Sequence, residues 1–179
     1  MGCSTSAEDN RNGALPEPKA PPPPDPRLPL TARQKFSLQK SWKAVQRGME
    51  TVGMNALINM FKAIPETQDI FPSYKGKKEH QLRQDLGFEN TATMMMNVFD
   101  EIVEEIDDVD SAIKLCNRTG KNHASFGLTP EYLHKFETHL LAAIKAHLED
   151  RYTEKMEDIY TTMVKFVIKH MIEGLEAGG

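Results

Sequence analysis

The chain has 179 residues, a formal net charge of −4 and a pI near 5.9. That length suits one domain with a proper core plus a tail, and the acidic balance gives no electrostatic footprint for nucleic acid. No apolar run reaches the roughly 18 residues of a membrane-crossing helix, and two cysteines, Cys3 and Cys116, make no disulfide framework.

The N-terminus, "MGCSTSAEDN", lacks the apolar stretch of a secretory signal, so a cytosolic chain with reduced cysteines is expected. Gly2 and Ser6 fit the pattern M-G-x-x-x-[ST], which permits amide-linked myristate on Gly2 once Met1 is removed. A single myristoyl chain anchors only marginally, and Cys3 is placed to carry a palmitoyl thioester as the second signal. The competing reading is a chance match in a tail, with a cytosolic protein as its consequence. Eight of the eleven prolines then fall between Pro16 and Pro29. Such a run cannot form helix and reads as a semi-rigid spacer, with a proline-rich ligand for another domain as the alternative. Twenty-odd spacer residues at ~3.1 Å each would span roughly 70 Å. Residues 1–29 are therefore expected as a disordered, acylatable tail and residues 30–179 as the folded domain.

From Thr31 onward the pattern is helical throughout. Thr31 and Gln34 form a capping-box pair, followed by an apolar stripe of Phe36, Leu38, Trp42 and Val45. A second run spans Val52 to Phe61 and is broken at Pro65 and again at Pro72. Residues 81–106 carry Leu82, Leu86, Met95, Val98, Phe99, Ile102 and Ile106 at helical spacings. A short segment near 110–122 ends at His123 and Gly127. Pro130 opens a helix through Leu148 with Leu133, Phe136, Leu140 and Ile144 in register, and the last helix runs from Met156 through Met171. Nothing alternates in the manner of a strand, so the fold class is all-α.

Within this pattern, "AIPETQDIFPSYKG" resembles the globin segment in which a proline starts a short helix and an aromatic six residues later stacks on haem. Here those residues are Pro65 and Phe71, with Tyr74 three further on. Gly53 falls where globins need a small residue at a helix crossing, Trp42 where the first helix carries its tryptophan, and Leu57 on the distal wall. The resemblance covers residues 31–175 and implies the three-on-three helical sandwich of the globins with haem b as cofactor.

The same resemblance assigns the stretch "GKNHASFGLTPEYL". The globin pattern places a glycine three residues before the iron-ligating histidine, an aliphatic five residues after it, and a proline near the next helix start. Gly120, His123, Leu128 and Pro130 match in turn. His123 is thus the expected proximal ligand, its other ring nitrogen directed to the Thr119 carbonyl or the Asn122 side chain. His80 reads as a loop residue, and His134, His139, His147 and His170 as surface or flank residues. Leu133 and Phe136 join the expected haem contacts.

On the distal side the chain departs from the family. The position that commonly holds a histidine is Thr91, with Met95 one turn on and Met94 before it near the pocket mouth. A threonine hydroxyl is a poor iron ligand. The Met95 thioether is a ligand in some cytochromes but reads here first as an adaptable apolar filler. Five-coordinate ferrous iron is expected, with weakened discrimination between oxygen and neutral ligands such as carbon monoxide.

Acylatable Gly2 and Cys3 joined to a globin body resemble globin X, the membrane-tethered branch, although that branch usually keeps the distal histidine. The implied function is reversible binding of oxygen or nitric oxide at the cytoplasmic face of the plasma membrane, in signalling or redox protection. The alternative is a haem redox enzyme acting on nitrite, nitric oxide or peroxide, supplied by a reductase. No dedicated acid–base pair in the sequence favours that alternative.

Overall fold

The computed structural model describes residues 22–179. Gly2, Cys3, Ser6 and the prolines up to Pro21 lie outside the described residues. The body consists of helices α1 (Ala32–Gln46), α2 (Met49–Ala63), α3 (Glu79–Leu82), α4 (Leu86–Glu104), α5 (Val109–His123), α6 (Pro130–Leu148) and α7 (Glu154–Gly178). Three-residue to six-residue 3-10 turns follow α2, α5 and α6.

Local chemistry explains most boundaries. Thr31 opens α1 with a reciprocal capping box: its hydroxyl accepts from the Gln34 amide at 3.3 Å, and the Gln34 side chain accepts from the Thr31 amide at 2.9 Å. Asp85, Asp108, Thr129 and Thr153 cap α4, α5, α6 and α7 with their side-chain oxygens. Pro65 and Pro130 stand at the first turn of their helices, where a missing amide proton costs nothing. Glu149, at φ 51°, reverses the chain between α6 and α7.

The two long C-terminal helices and their partners form the packing layers. α5 lies most extensively on α7, and α2 on both α6 and α4. The α2–α4 crossing is close because Gly53 has no side chain: a Cβ there would stand 2.7 Å from the Ala92 carbonyl oxygen and 3.0 Å from Met96 Cγ. Leu38, Trp42, Val52, Phe88, Met96, Ile102, Leu140, Ile144, Tyr160 and Val164 are fully buried between these layers. Trp42 remains satisfied there, its Nε1 donating to Asp100 at 2.7 Å.

Four details differ from the expectations. Leu28 and Leu30 are both buried, so the packed body reaches back to Leu28. A turn from the Leu28 amide to the Asp25 carbonyl and an ion pair from Arg27 to Asp110 at 2.6 Å hold that root. Phe36 is 59% exposed, with the Lys40 ammonium 5.4 Å from its ring centre. Two residues before Leu38, at about 100° per residue, it points across the helix from the buried stripe. His170 is buried at 5% exposure, because α5 covers a flank of α7 that periodicity alone leaves open to water. Its ring stands edge-on to Phe166 at 4.8 Å and its Nδ1 meets Glu173 Oε2 at 2.6 Å. His80 sits within the single turn of α3, exposed, and is not a loop residue.

Candidate haem site

His123 ends α5. Its Nδ1 lies 2.7 Å from the Thr119 carbonyl oxygen, one turn back in the same helix. Of the two acceptors open to it in sequence, the ring takes the backbone carbonyl. A carbonyl only accepts, so Nδ1 carries the proton and Nε2 keeps its lone pair. The ring is half-buried, and Phe126 stands edge-on to it at 6.0 Å while remaining 64% exposed.

The segment after α2 carries an aromatic cluster. Pro65 starts a 3-10 turn to Ile70, after which Phe71 packs on Phe61 at 5.5 Å and on Tyr74 at 6.1 Å. Tyr74 stands edge-on to Phe88 of α4 at 5.1 Å. The Gln68 side chain pins this loop by donating to the carbonyls of Tyr74 at 2.6 Å and Lys77 at 2.9 Å. Across it, Tyr74 Oη lies 2.7 Å from Thr91 Oγ1.

Along α4, Phe88, Ala92, Met96 and Phe99 face the core, while Thr91, Met95 and Val98 form a half-buried stripe beside them. Met94 is 70% exposed. Leu57 on α2 and Leu133 and Phe136 on α6 are buried, and Leu128 packs half-buried against the core. Phe71, Tyr74 and Thr91 are thus tied together directly by ring packing and a hydroxyl contact. Leu57, Leu133, Phe136, Leu128 and Met95 share the same apolar core without being tied to one another by polar contacts.

Electrostatics near the site come from the α4 cap. Lys77 beside Asp85, with the Phe88 and Gly87 amides, holds that carboxyl below its ordinary range. Cys116 is a packing residue of α5, its thiol pushed up to about 12 by burial. Among the described residues no group of three histidine, cysteine, aspartate or glutamate side chains converges on one point. His123, with Nδ1 bonded to the Thr119 carbonyl, has Nε2 left to offer to a metal carried in a prosthetic group.

The globin family model matches residues 54–172. The chain belongs to the globin family. A globin of Nerita albicilla is 27% identical over 110 residues, 61% of this chain and 70% of that one. Globin-1 of Petromyzon marinus is 29% identical over 105 residues, 58% of this chain and 70% of that one. Among solved structures, a hexacoordinated heme protein from an anhydrobiotic tardigrade is 38% identical, with a TM-score of 0.81 over 86% of this chain and 99% of its own. The azide-bound ferric myoglobin of Aplysia limacina has a TM-score of 0.69 at 17% identity, covering 84% and 99%, a likeness of fold. Haem is accordingly the cofactor of this globin domain. The residues fit it: a histidine held by its Nδ1–H, with a free Nε2, is the tautomer that haem iron requires.

Sequence reasoning missed two features. Phe126 sits beside the His123 ring, a neighbour legible only as an aromatic just past a helix end. The Tyr74–Thr91 hydroxyl contact joins residues seventeen apart across a loop and has no signature in the sequence.

Proposed function

We propose that this globin holds haem through His123 Nε2 and reversibly binds a diatomic gas, oxygen or nitric oxide, on a distal side without histidine. The observation that supports it is the His123 Nδ1–H bond to the Thr119 carbonyl at 2.7 Å, which orients the ring and fixes its tautomer. Haem, when bound, would supply the open iron site at which a diatomic gas is held. Phe71 presents an aromatic face to the macrocycle, with Tyr74, Leu128, Leu133 and Phe136 as further apolar contacts. Leu57, Thr91 and Met95 shape the ligand side, and Met94 stands at its mouth. Thr91 is too short to ligate iron, so the sixth position stays available to an external ligand.

One observation favours a second state of that position. The tardigrade relative at 38% identity is described as hexacoordinated. In this chain the residue able to play that part is Met95, half-buried one turn beyond Thr91, whose flexible thioether is a soft iron ligand.

Myristoylated Gly2 and palmitoylated Cys3 tether the domain to the cytoplasmic face of a membrane, the support being their sequence pattern alone. A fixed carrier gains nothing for bulk storage, so the tether suits local signalling or redox protection of lipid.

Haem titration tests the reading. His123→Ala abolishes stable haem uptake, whereas His170→Ala, removing a buried imidazole already engaged with Glu173, keeps it. Normal retention with an unchanged Soret band in His123→Ala overturns the assignment.

A further inference from the structure

Three oxygens meet beside α4 with two protons between them. Tyr74 Oη lies 2.7 Å from Thr91 Oγ1, and Thr91 Oγ1 lies 2.9 Å from the Gly87 carbonyl oxygen one turn back. Each hydroxyl owns one proton, and the carbonyl owns none. Two arrangements are conceivable, and they differ in what reaches a ligand.

If Thr91 donated to Tyr74, the phenolic proton would be left over. Among the described residues Tyr74 Oη has no other hydrogen-bond partner than Thr91. The tyrosine is 9% exposed, and its ring is fixed edge-on to Phe88 and packed beside Phe71. If instead Tyr74 donates to Thr91 and Thr91 donates to Gly87, every proton has an acceptor. Donor strength points the same way, since a phenolic hydroxyl donates more strongly than an alkyl one. The chain of bonds therefore runs from Tyr74 through Thr91 to Gly87.

Both distal protons are spent along this chain. Thr91 Oγ1 has given its own to Gly87 and received one from Tyr74, so its second lone pair is what it has left to offer. We propose that Thr91 is a hydrogen-bond acceptor towards bound ligand, its polarity set by Tyr74. The distal side then favours ligands that carry a proton on the coordinated atom, such as water or hydrogen sulfide. It disfavours oxygen, which needs a proton from the protein, relative to carbon monoxide and nitric oxide. The inference rests on the placement of Thr91 beside the ligand in the reading above.

The isosteric change Thr91→Val tests it in the haem-loaded full chain. Removing an acceptor leaves oxygen release no faster than in the parent, and slower where the freed Tyr74 proton turns to the ligand. The carbon monoxide infrared stretch falls or stays, and ferric affinity for sulfide added as sodium sulfide drops roughly tenfold, the weight of one hydrogen bond. Tyr74→Phe supplies a readout without haem, because loss of its bond to Thr91 lowers the melting temperature of the haem-free chain. Thr91→Ala guards against a packing defect peculiar to valine. Roughly tenfold faster oxygen release and a raised stretch in both Thr91 variants make Thr91 a donor and overturn the polarity alone. Rates, stretch and sulfide affinity all unmoved in both variants mean that Thr91 is not beside the ligand, which overturns the placement and the inference with it.

Discussion

Gly120 of α5 rests against the main-chain carbonyl of Met171 on α7, in the space that any other residue would fill with its Cβ. The contact is reciprocated, since Gly174 of α7 meets the Asn117 carbonyl in the same way. Two missing side chains therefore set how closely α5 approaches α7, and hence where the end of α5 stands. His123 is three residues further along that helix. Gly120 thus acts on the position of His123 through helix packing.

Gly120→Ala forces the two backbones apart. Overpacking of a tight core costs about 1–3 kcal/mol, and the displaced α5 carries His123 with it. Lower stability in urea unfolding and faster transfer of haem to an acceptor apoprotein are expected together. An alanine variant as stable and as retentive as the parent would show that the crossing relaxes without moving the histidine.

The sixth coordination position is decided by spectroscopy of the deoxy ferrous protein. With Thr91 unable to ligate, a broad visible band of five-coordinate, high-spin iron is expected. Thr91→His then introduces a side chain that bonds to oxygen or ligates iron itself. A hydrogen bond to a charged acceptor contributes ~1.5–3 kcal/mol, which slows oxygen release roughly ten- to a hundredfold. Sharp low-spin bands in the parent that vanish in Met95→Leu identify the thioether as the internal ligand instead.

Acid sensitivity should reveal the α4 cap. Asp85 accepts from the Gly87 and Phe88 amides at 2.8 and 3.2 Å and pairs with Lys77. These partners, Lys77 foremost, lower its folded pKa from the ordinary 3.8. A lowered folded pKa means stability that is complete above the unfolded value and is lost as pH falls through the folded one. Asp85→Asn should therefore melt lower than the parent at pH 6, with the gap closing as the medium is acidified below 3.8. A gap that stays constant down to strong acid would mean that the carboxylate charge contributes nothing.

Membrane attachment is testable by fractionation. Gly2→Ala removes the myristoylation site and should release the protein, while Cys3→Ser leaves one acyl chain and weakens retention. Two variants as membrane-bound as the parent dispose of the acylated anchor.

Most elements were legible in the sequence because their causes are local, whereas the break between Leu82 and Leu86, where Asp85 caps α4, divides a stretch that reads as one run. Thr31 with Gln34, Pro130 after Thr129, and the apolar spacing of α7 each act within a few residues, so boundaries follow from short windows. The orientation of the His123 ring has the same character, since its acceptor is the carbonyl four residues earlier. That contact could be anticipated because both partners lie on one helix.

Tertiary structure decided what depends on a second segment. Leu28 is buried at the root of α1, beside the Arg27–Asp110 ion pair, and His170 is buried on α7, the helix that α5 packs against most extensively. Phe36 is hydrophobic yet exposed, because it stands off the buried stripe that the other helices cover. The polarity of the Thr91 hydroxyl is the sharpest case. Thr91 by itself is a hydroxyl that both donates and accepts, and nothing in its neighbours along the chain says which. Only when folding brings Tyr74 within 2.7 Å does the direction of the proton become determined, because a hydrogen bond between residues far apart in sequence exists only once the backbone has set their distance.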